Sequence, residues 1–207
     1  VDRVGTTALV SINPECCTGL PHAADVVMGT LAAAPCCPED LPPDVRTRPM
    51  VEADLARVRD IYVEGIATRN ATFETEAPAA ADLPAKWLAG HQWVAEADGE
   101  VVGWSAVGPV SPRECYAGVG ESSVYVTEAA RGRGVGKSLL HRQVTEADAS
   151  GLWTLQTSVF VENRASIALH HSAGYRTLAV RRHIGQLDGA WRDTVLLERR
   201  RDEFTGS

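Results

Sequence analysis

Residues 131–138 read Arg131-Gly132-Arg133-Gly134-Val135-Gly136-Lys137-Ser138, three glycines interleaved with basic side chains. A Val-rich segment, Val124-Tyr125-Val126, stands just before them, and an amphipathic helical pattern follows. The first turn of a helix carries N–H groups without partners inside the helix and a partial positive charge. Glycines let a phosphate approach that backbone closely, and Arg133 and Lys137 add charge of the right sign. The chemistry of such a segment is pyrophosphate binding; the plainer alternative is a Gly-rich turn with no ligand. It is not a nucleotide P-loop, because Gly-x4-Gly-Lys-Ser/Thr is absent, and it fails the dinucleotide fingerprint at the third glycine.

A second reactive group is thiol. Cys16-Cys17 and Cys36-Cys37 form two adjacent pairs, and Cys115 stands alone. The pairs lack the Cys-x2-Cys spacing of zinc sites, so no metal is expected to be required. Soft thiolates suit a metalloid such as arsenite. The chain therefore carries a reading of another class: a thiol-based metalloid-binding protein, acting through its N-terminal cysteine pairs.

The elements that must position the Gly-rich turn are legible from periodicity. Residues 1–44 hold the four paired cysteines and six prolines, and proline breaks regular structure. They read as a poorly ordered extension; residues 45–200 form the domain and 201–207 a tail. Within the domain, residues 45–48 predict a strand. Leu55, Val58, Ile61, Tyr62 and Ile66 recur at helical spacing and predict a helix over 52–67. Residues 69–77 read as a loop and 82–90 as a second helix, with Trp87 and Leu88 turned inward. Strands over 93–97 and 101–107 flank Asp98-Gly99, a hairpin signal. A strand over 122–126, a helix over 134–149, a strand over 154–161 and a helix over 165–173, ended by Gly174, come next. Strands over 176–186 and 191–197 close the chain around Asp188-Gly189. The order βα(α)βββαβαββ predicts an α/β (α+β) fold, a mixed and mostly antiparallel sheet flanked by helices.

Composition excludes some partners. Apolar residues make up 44% and charged residues 23%, the balance of an ordinary globular chain. The formal net charge of −7 argues against a nucleic-acid partner, which needs a basic surface. No apolar run approaches the ~20 residues of a membrane span, and the start shows no secretory pattern. A cytoplasmic protein is expected.

Arg-x-x-Gly-x-Gly at 131–136, after a Val-rich strand and before a helix, resembles the acetyl-CoA signature of the GNAT superfamily of N-acetyltransferases. Ala71-Thr72-Phe73-Glu74-Thr75-Glu76, Glu121-Ser122-Ser123-Val124-Tyr125-Val126, Asn163, Leu169-His170-His171-Ser172-Ala173-Gly174-Tyr175 and Gly189-Ala190-Trp191-Arg192-Asp193 resemble its phosphinothricin acetyltransferase branch, including members that acetylate arsinothricin. The resemblance covers about residues 45–199. It implies acetyl-CoA as co-substrate and a glutamate-analogue amino acid, such as phosphinothricin, methionine sulfoximine or arsinothricin, as acceptor.

Site residues follow from the same resemblance. It implies that the backbone of Val124, Tyr125 and Val126 binds pantetheine, with Tyr125 directing its side chain to the core. Arg131, Gly132, Arg133, Gly134, Val135, Gly136 and Lys137 face the pyrophosphate. Glu121 matches the family's catalytic Glu, the base that takes the proton of the acceptor ammonium; alone, a Glu after Gly120 reads as an exposed carboxylate. His170 occupies the helix position near the CoA sulfur, where a group titrating near neutrality can protonate the leaving thiolate or relay a proton. His171, one residue on, faces another direction and reads as a surface His. Asn163 caps that helix and is a candidate cofactor contact. Phe73 is a candidate wall of the acceptor site. Arg69 and Arg113 are candidates for gripping an oxyanion, because a guanidinium binds one bidentately. Glu74 departs from the branch, which carries Arg there, and an acid at this point would repel an anionic acceptor. Trp191 and the trailing strands suggest a homodimer, with a buried core Trp as the alternative. Two further enzymatic readings are a GNAT enzyme for another small amine and a degenerate member that binds CoA without catalysis.

Overall fold

Alternation along residues 92–97 sends Trp93, Ala95 and Ala97 to one face of the sheet and Val94 to the other, and all four are buried. A strand buried on both faces needs a layer on each side. The computed structural model, which describes residues 2–4, 7–9 and 41–201, supplies both layers.

The strands are β1 (Asp2–Val4), β2 (Thr7–Leu9), β3 (Arg46–Pro49), β4 (Gln92–Ala97), β5 (Glu100–Pro109), β6 (Val119–Val126), β7 (Thr154–Phe160), β8 (Arg176–Leu187) and β9 (Ala190–Arg200). The α-helices are α1 (Leu55–Ala67), α2 (Val135–Ser150) and α3 (Arg164–Ser172). β1 and β2 pair with each other. The other seven strands form one sheet in the order β3-β4-β5-β6-β7-β9-β8. All its neighbours are antiparallel except β6 and β7.

Helix α2 covers one face through Val135, Leu139, Leu140, Val144 and Ala147, which pack with Trp93, Leu155 and Leu197. Helix α1 covers the other through Val58, Ile61, Tyr62 and Ile66, which pack with Val94, Trp104 and Ala106. The start of α1 is fixed by charge. Arg48 on β3 pairs with Asp54 at 2.6 and 2.9 Å and with Glu96 on β4 at 2.8 Å. Asp54 also accepts from the Val51 N–H, and the Arg48 guanidinium holds its carboxyl below the usual range.

Over residues 45–200 the predicted element order stands, with local corrections; the β1–β2 pair departs from the reading of residues 1–44 as an extension without regular structure. The expected helix over 82–90 is a 3-10 segment over Ala80–Lys86. Pro84 lies inside it and supplies no N–H. Leu83 is its buried residue; Trp87 is half-buried against Trp104, ring centroids 5.3 Å apart, and the Leu88 N–H donates to the Val107 carbonyl. The domain is anchored before residue 45: Asp44 pairs with Arg133 at 2.9 Å, and the Val45 N–H donates to the Pro42 carbonyl. Arg201 donates to the Trp153 carbonyl, so the domain also reaches past residue 200. Cys16, Cys17, Cys36 and Cys37 lie outside the described residues, and with them the metalloid reading. Cys115 is an exposed free thiol. Trp191 is 57% exposed, which removes the core alternative for it. Among the described residues no helix is long and apolar enough to cross a membrane.

Candidate active site

The only parallel pairing in the seven-stranded sheet is also its shortest. β6 and β7 are in register for three pairs, Val119 with Thr154, Gly120 with Leu155 and Glu121 with Gln156. Beyond Glu121 the strands part. β6 keeps β5 as its neighbour through Val126, and β7 keeps β9 through Phe160. On the edge of β6 that faces away from β5, alternate N–H and C=O groups of residues 122–126 are therefore left without a ladder partner. The gap opens a cleft of about 830 Å³, within the usual size range of small-molecule sites.

Glu121 stands at the point of parting and lines the cleft. Opposite it on β5 is Gly108, which has no side chain to crowd the carboxylate. Glu121 shares its face of β6 with Ser123 and Tyr125. The Tyr125 ring lies in the core on the α1 side, stacked on Trp104 at 4.6 Å and edge-on to Tyr62 at 4.9 Å. Burial pushes both phenols, Tyr62 and Tyr125, upward. Gly65 on α1 makes room for that ring, since a Cβ there would sit 2.6 Å from Tyr125 Cδ1. Val124 and Val126 take the opposite face, against the α2 core, while still lining the cleft. On this face Ser122 donates to the Gln143 side chain of α2, and Gln143 donates to the Ala106 carbonyl of β5 at 2.9 Å. This fixes β6 where it leaves β7.

At the far end of β6 the chain turns through residues 127–134 into α2. Gly134 is the N-cap of α2, with φ of 80°. That left-handed conformation suits glycine, and a Cβ would also meet Pro42 Cγ at 2.9 Å. Arg131, Gly132, Gly134, Val135, Gly136 and Lys137 line the cleft, and the first turn of α2 presents N–H groups. A pyrophosphate fits these groups by charge and by donor geometry. Arg133 is a correction to the expected set. It does not line the cleft; its guanidinium is held by Asp98 and Asp44, each at 2.9 Å.

His170 lines the cleft from α3 and is 2% exposed. Its Nδ1 lies 2.7 Å from the Ser166 carbonyl oxygen, which can only accept, so Nδ1 carries the ring proton. Burial pushes its pKa from 6.5 down to about 4. The expectation of a group titrating near neutrality is therefore overturned. The ring is neutral at pH 7, and Nε2 keeps a lone pair with no partner among the described residues. His171 is exposed and bonds to Thr177 Oγ1 at 3.0 Å. Asn163 caps α3 by accepting from the Ser166 N–H and donates to the Asn70 carbonyl at 2.9 Å. It lines the cleft and ties the loop after α1 across it.

That loop supplies Thr72, Phe73 and Glu74 to the cleft. Phe73 packs edge-on against Phe160 of β7, 4.7 Å between centroids. Arg69 and Arg113, expected to grip an oxyanion, lie elsewhere. Arg69 pairs with Asp188 at 3.2 Å, and Arg113 sits over the Tyr116 ring at 5.7 Å, beside a separate surface pocket. Residues that the sequence reading missed include Ser158, Phe160, Ser166 and Thr194. No local motif marks them; Ser158 and Phe160 lie on β7, Ser166 on α3 and Thr194 on β9, and the tertiary fold brings them to the cleft.

Residues 58–175 match the model of the acetyltransferase (GNAT) family. The phosphinothricin N-acetyltransferase of Streptomyces viridochromogenes is 30% identical over 163 residues, covering 75% of this chain and 87% of that protein. The L-methionine sulfoximine/L-methionine sulfone acetyltransferase of Salmonella typhimurium is 29% identical over 158 residues, covering 73% and 92%. A GNAT superfamily phosphinothricin acetyltransferase from Sinorhizobium meliloti, solved in complex with acetyl-CoA, superposes with a TM-score of 0.73 at 29% identity, covering 79% of this chain and 92% of that one.

Proposed function

The chain belongs to the GNAT acetyltransferase family, and on that premise we propose that it transfers an acetyl group from acetyl-CoA to the α-amino group of a glutamate-analogue amino acid of the phosphinothricin, methionine sulfoximine or arsinothricin type. The observation that carries this reading is the unpaired edge of β6, with Glu121 at one end and the Gly-rich start of α2 at the other.

Acetyl-CoA supplies an activated thioester. The backbone groups of residues 122–126 hold its pantetheine arm and polarise the thioester carbonyl. Gly132, Gly134, Gly136 and Lys137 hold the pyrophosphate, with Arg131 beside them. Glu121 takes a proton from the acceptor ammonium, directly or through water, so that the nitrogen gains a lone pair for attack. Nitrogen loses two protons in the net reaction; one reaches solvent through Glu121 and the other ends on the CoA thiol. His170 acts as a neutral acceptor through Nε2. Direct protonation of the thiolate by its imidazolium would require a charge that burial disfavours. Transfer is direct, in a ternary complex.

The test is thiol release from acetyl-CoA with phosphinothricin, methionine sulfone, methionine sulfoximine, arsinothricin and a panel of ordinary amines. Turnover concentrated in the glutamate-analogue set supports the reading. Turnover with other amines alone moves the protein to a GNAT enzyme of different acceptor class.

We further propose a homodimer through the β8–β9 ribbon. β8 is an edge strand, and Leu178, Val180 and Ile184 on it and Trp191 on β9 are all exposed, an apolar patch that a partner surface would cover.

A further inference from the structure

Two carboxylates, Glu74 and Glu121, line the cleft. Glu121 lies opposite Gly108 on β5. A Cβ on Gly108 would stand 3.1 Å from the Lys86 carbonyl oxygen, which places Lys86 beside that point. Lys86 Nζ in turn lies 3.7 Å from Glu74 Oε1. Lys86 thus meets Gly108 with its backbone and Glu74 with its side chain. The loop around Glu74 is ordered by the Glu74 N–H donating to Thr72 Oγ1 at 3.1 Å. After burial, the main cause, the Glu74 charge is among those that push the Tyr62 and Tyr125 phenols of the α1-side core upward.

Positive charge lies at the other end. Among the described residues that line the cleft, the only Arg and Lys side chains are Arg131 and Lys137, at the Gly-rich turn. Arg192, which stacks on Phe160 at 4.2 Å, does not line the cleft; it is held by Glu162 at 3.0 Å and by the Arg69 carbonyl at 3.1 Å. Lys86 is half exposed and outside the lining, so its long pair with Glu74 only partly offsets the negative charge. The cationic side chains of the cleft therefore gather at the Gly-rich turn, where a pyrophosphate would sit, and its Glu side chains, Glu74 and Glu121, come from other elements.

We infer that Glu74 sets the charge the acceptor's side chain can carry: the enzyme prefers an amino acid whose side chain ends in a neutral polar group over one whose side chain ends in an anion. This rests on the α-amino-acid reading above and narrows it. A neutral sulfone or sulfoximine tail meets the hydroxyls of Thr72, Ser123 and Ser158 without repulsion from Glu74. A phosphinate tail brings a second negative charge into a cleft that already holds Glu74 and Glu121, and like-charge repulsion in a partly exposed site disfavours its binding by about tenfold.

The experiment compares kcat/KM for L-methionine sulfone and L-phosphinothricin, acceptors of similar shape that differ in tail charge, with acetyl-CoA saturating. The wild type is expected to favour the sulfone by about tenfold. Glu74→Gln is expected to shrink that ratio mainly by raising kcat/KM for phosphinothricin, and Glu74→Arg to invert it, with the KM for acetyl-CoA unchanged in both. Turnover of both acceptors at equal kcat/KM by the wild type, or a preference for phosphinothricin, overturns the inference alone. So does a ratio that Glu74→Gln leaves unmoved. A wild type silent toward both acceptors but active on another amine overturns the α-amino-acid reading and this inference together.

Discussion

Glu121 and His170 line one cleft but differ in access to water, and that difference divides their chemistry. Glu121 is exposed, so it can exchange a proton with solvent after each turnover. His170 is sealed, with its one ring proton committed to the Ser166 carbonyl. Its folded pKa of about 4 lies below the 6.5 of an unfolded His. Between those values the unfolded chain binds the extra proton and the folded chain does not. The stability linked to His170 is therefore fully present above pH 6.5 and is lost as pH falls toward 4, by up to about 3 kcal/mol. Urea unfolding of the wild type and of His170→Gln between pH 7.5 and 4.5 measures this. The wild type is expected to lose more stability than the variant across that span; parallel curves would mean that the ring is not held neutral. Neither the burial of His170 nor its tautomer was legible in the sequence, because both depend on α3 packing against the opened sheet.

At the scale of elements, local pattern carried far. The Gly-rich turn, the α2 start and the two Asp-Gly hairpins read correctly, since each is a matter of short-range backbone conformation: Asp98, Gly99, Asp188 and Gly189 all have positive φ. The parting of β6 from β7 has no such local signature. It depends on which strand becomes the neighbour of residues 119–121, so Ser158, Phe160 and Thr194 could not be placed. Side-chain direction was equally hidden. Arg133 stands in the Gly-rich run, yet Asp44 and Asp98 turn it outward. Gly134→Asp tests the turn itself. The substitution strains a φ of 80°, collides with Pro42 and sets a negative charge at the start of α2. Calorimetric titration with CoA is expected to show at least about a hundredfold weaker binding, from roughly 2–3 kcal/mol of combined strain and charge. Unchanged affinity would move the cofactor away from this turn.

On the scale of the whole molecule, a sheet built on one axis serves two purposes. Its centre opens between β6 and β7 to make the cleft, and its β8–β9 end carries the exposed apolar surface. Trp191→Asp is expected to shift sedimentation from dimer to monomer while leaving the fold intact, because the side chain is exposed; a wild type that sediments as a monomer would contradict the proposed pairing. Composition foretold an acidic chain, but not that the Arg and Lys side chains of its cleft would gather at the Gly-rich turn, on elements other than those of Glu74 and Glu121. The central claim is that Glu121 removes the acceptor's proton beside a cofactor laid along β6. Its most direct test is Glu121→Gln, assayed for acetyl transfer to methionine sulfone and, in parallel, for CoA binding by calorimetry. The account predicts a fall in kcat of about 10²–10⁴-fold with CoA affinity within about twofold of the wild type. Full activity in the variant, or CoA affinity lost together with activity, would contradict it.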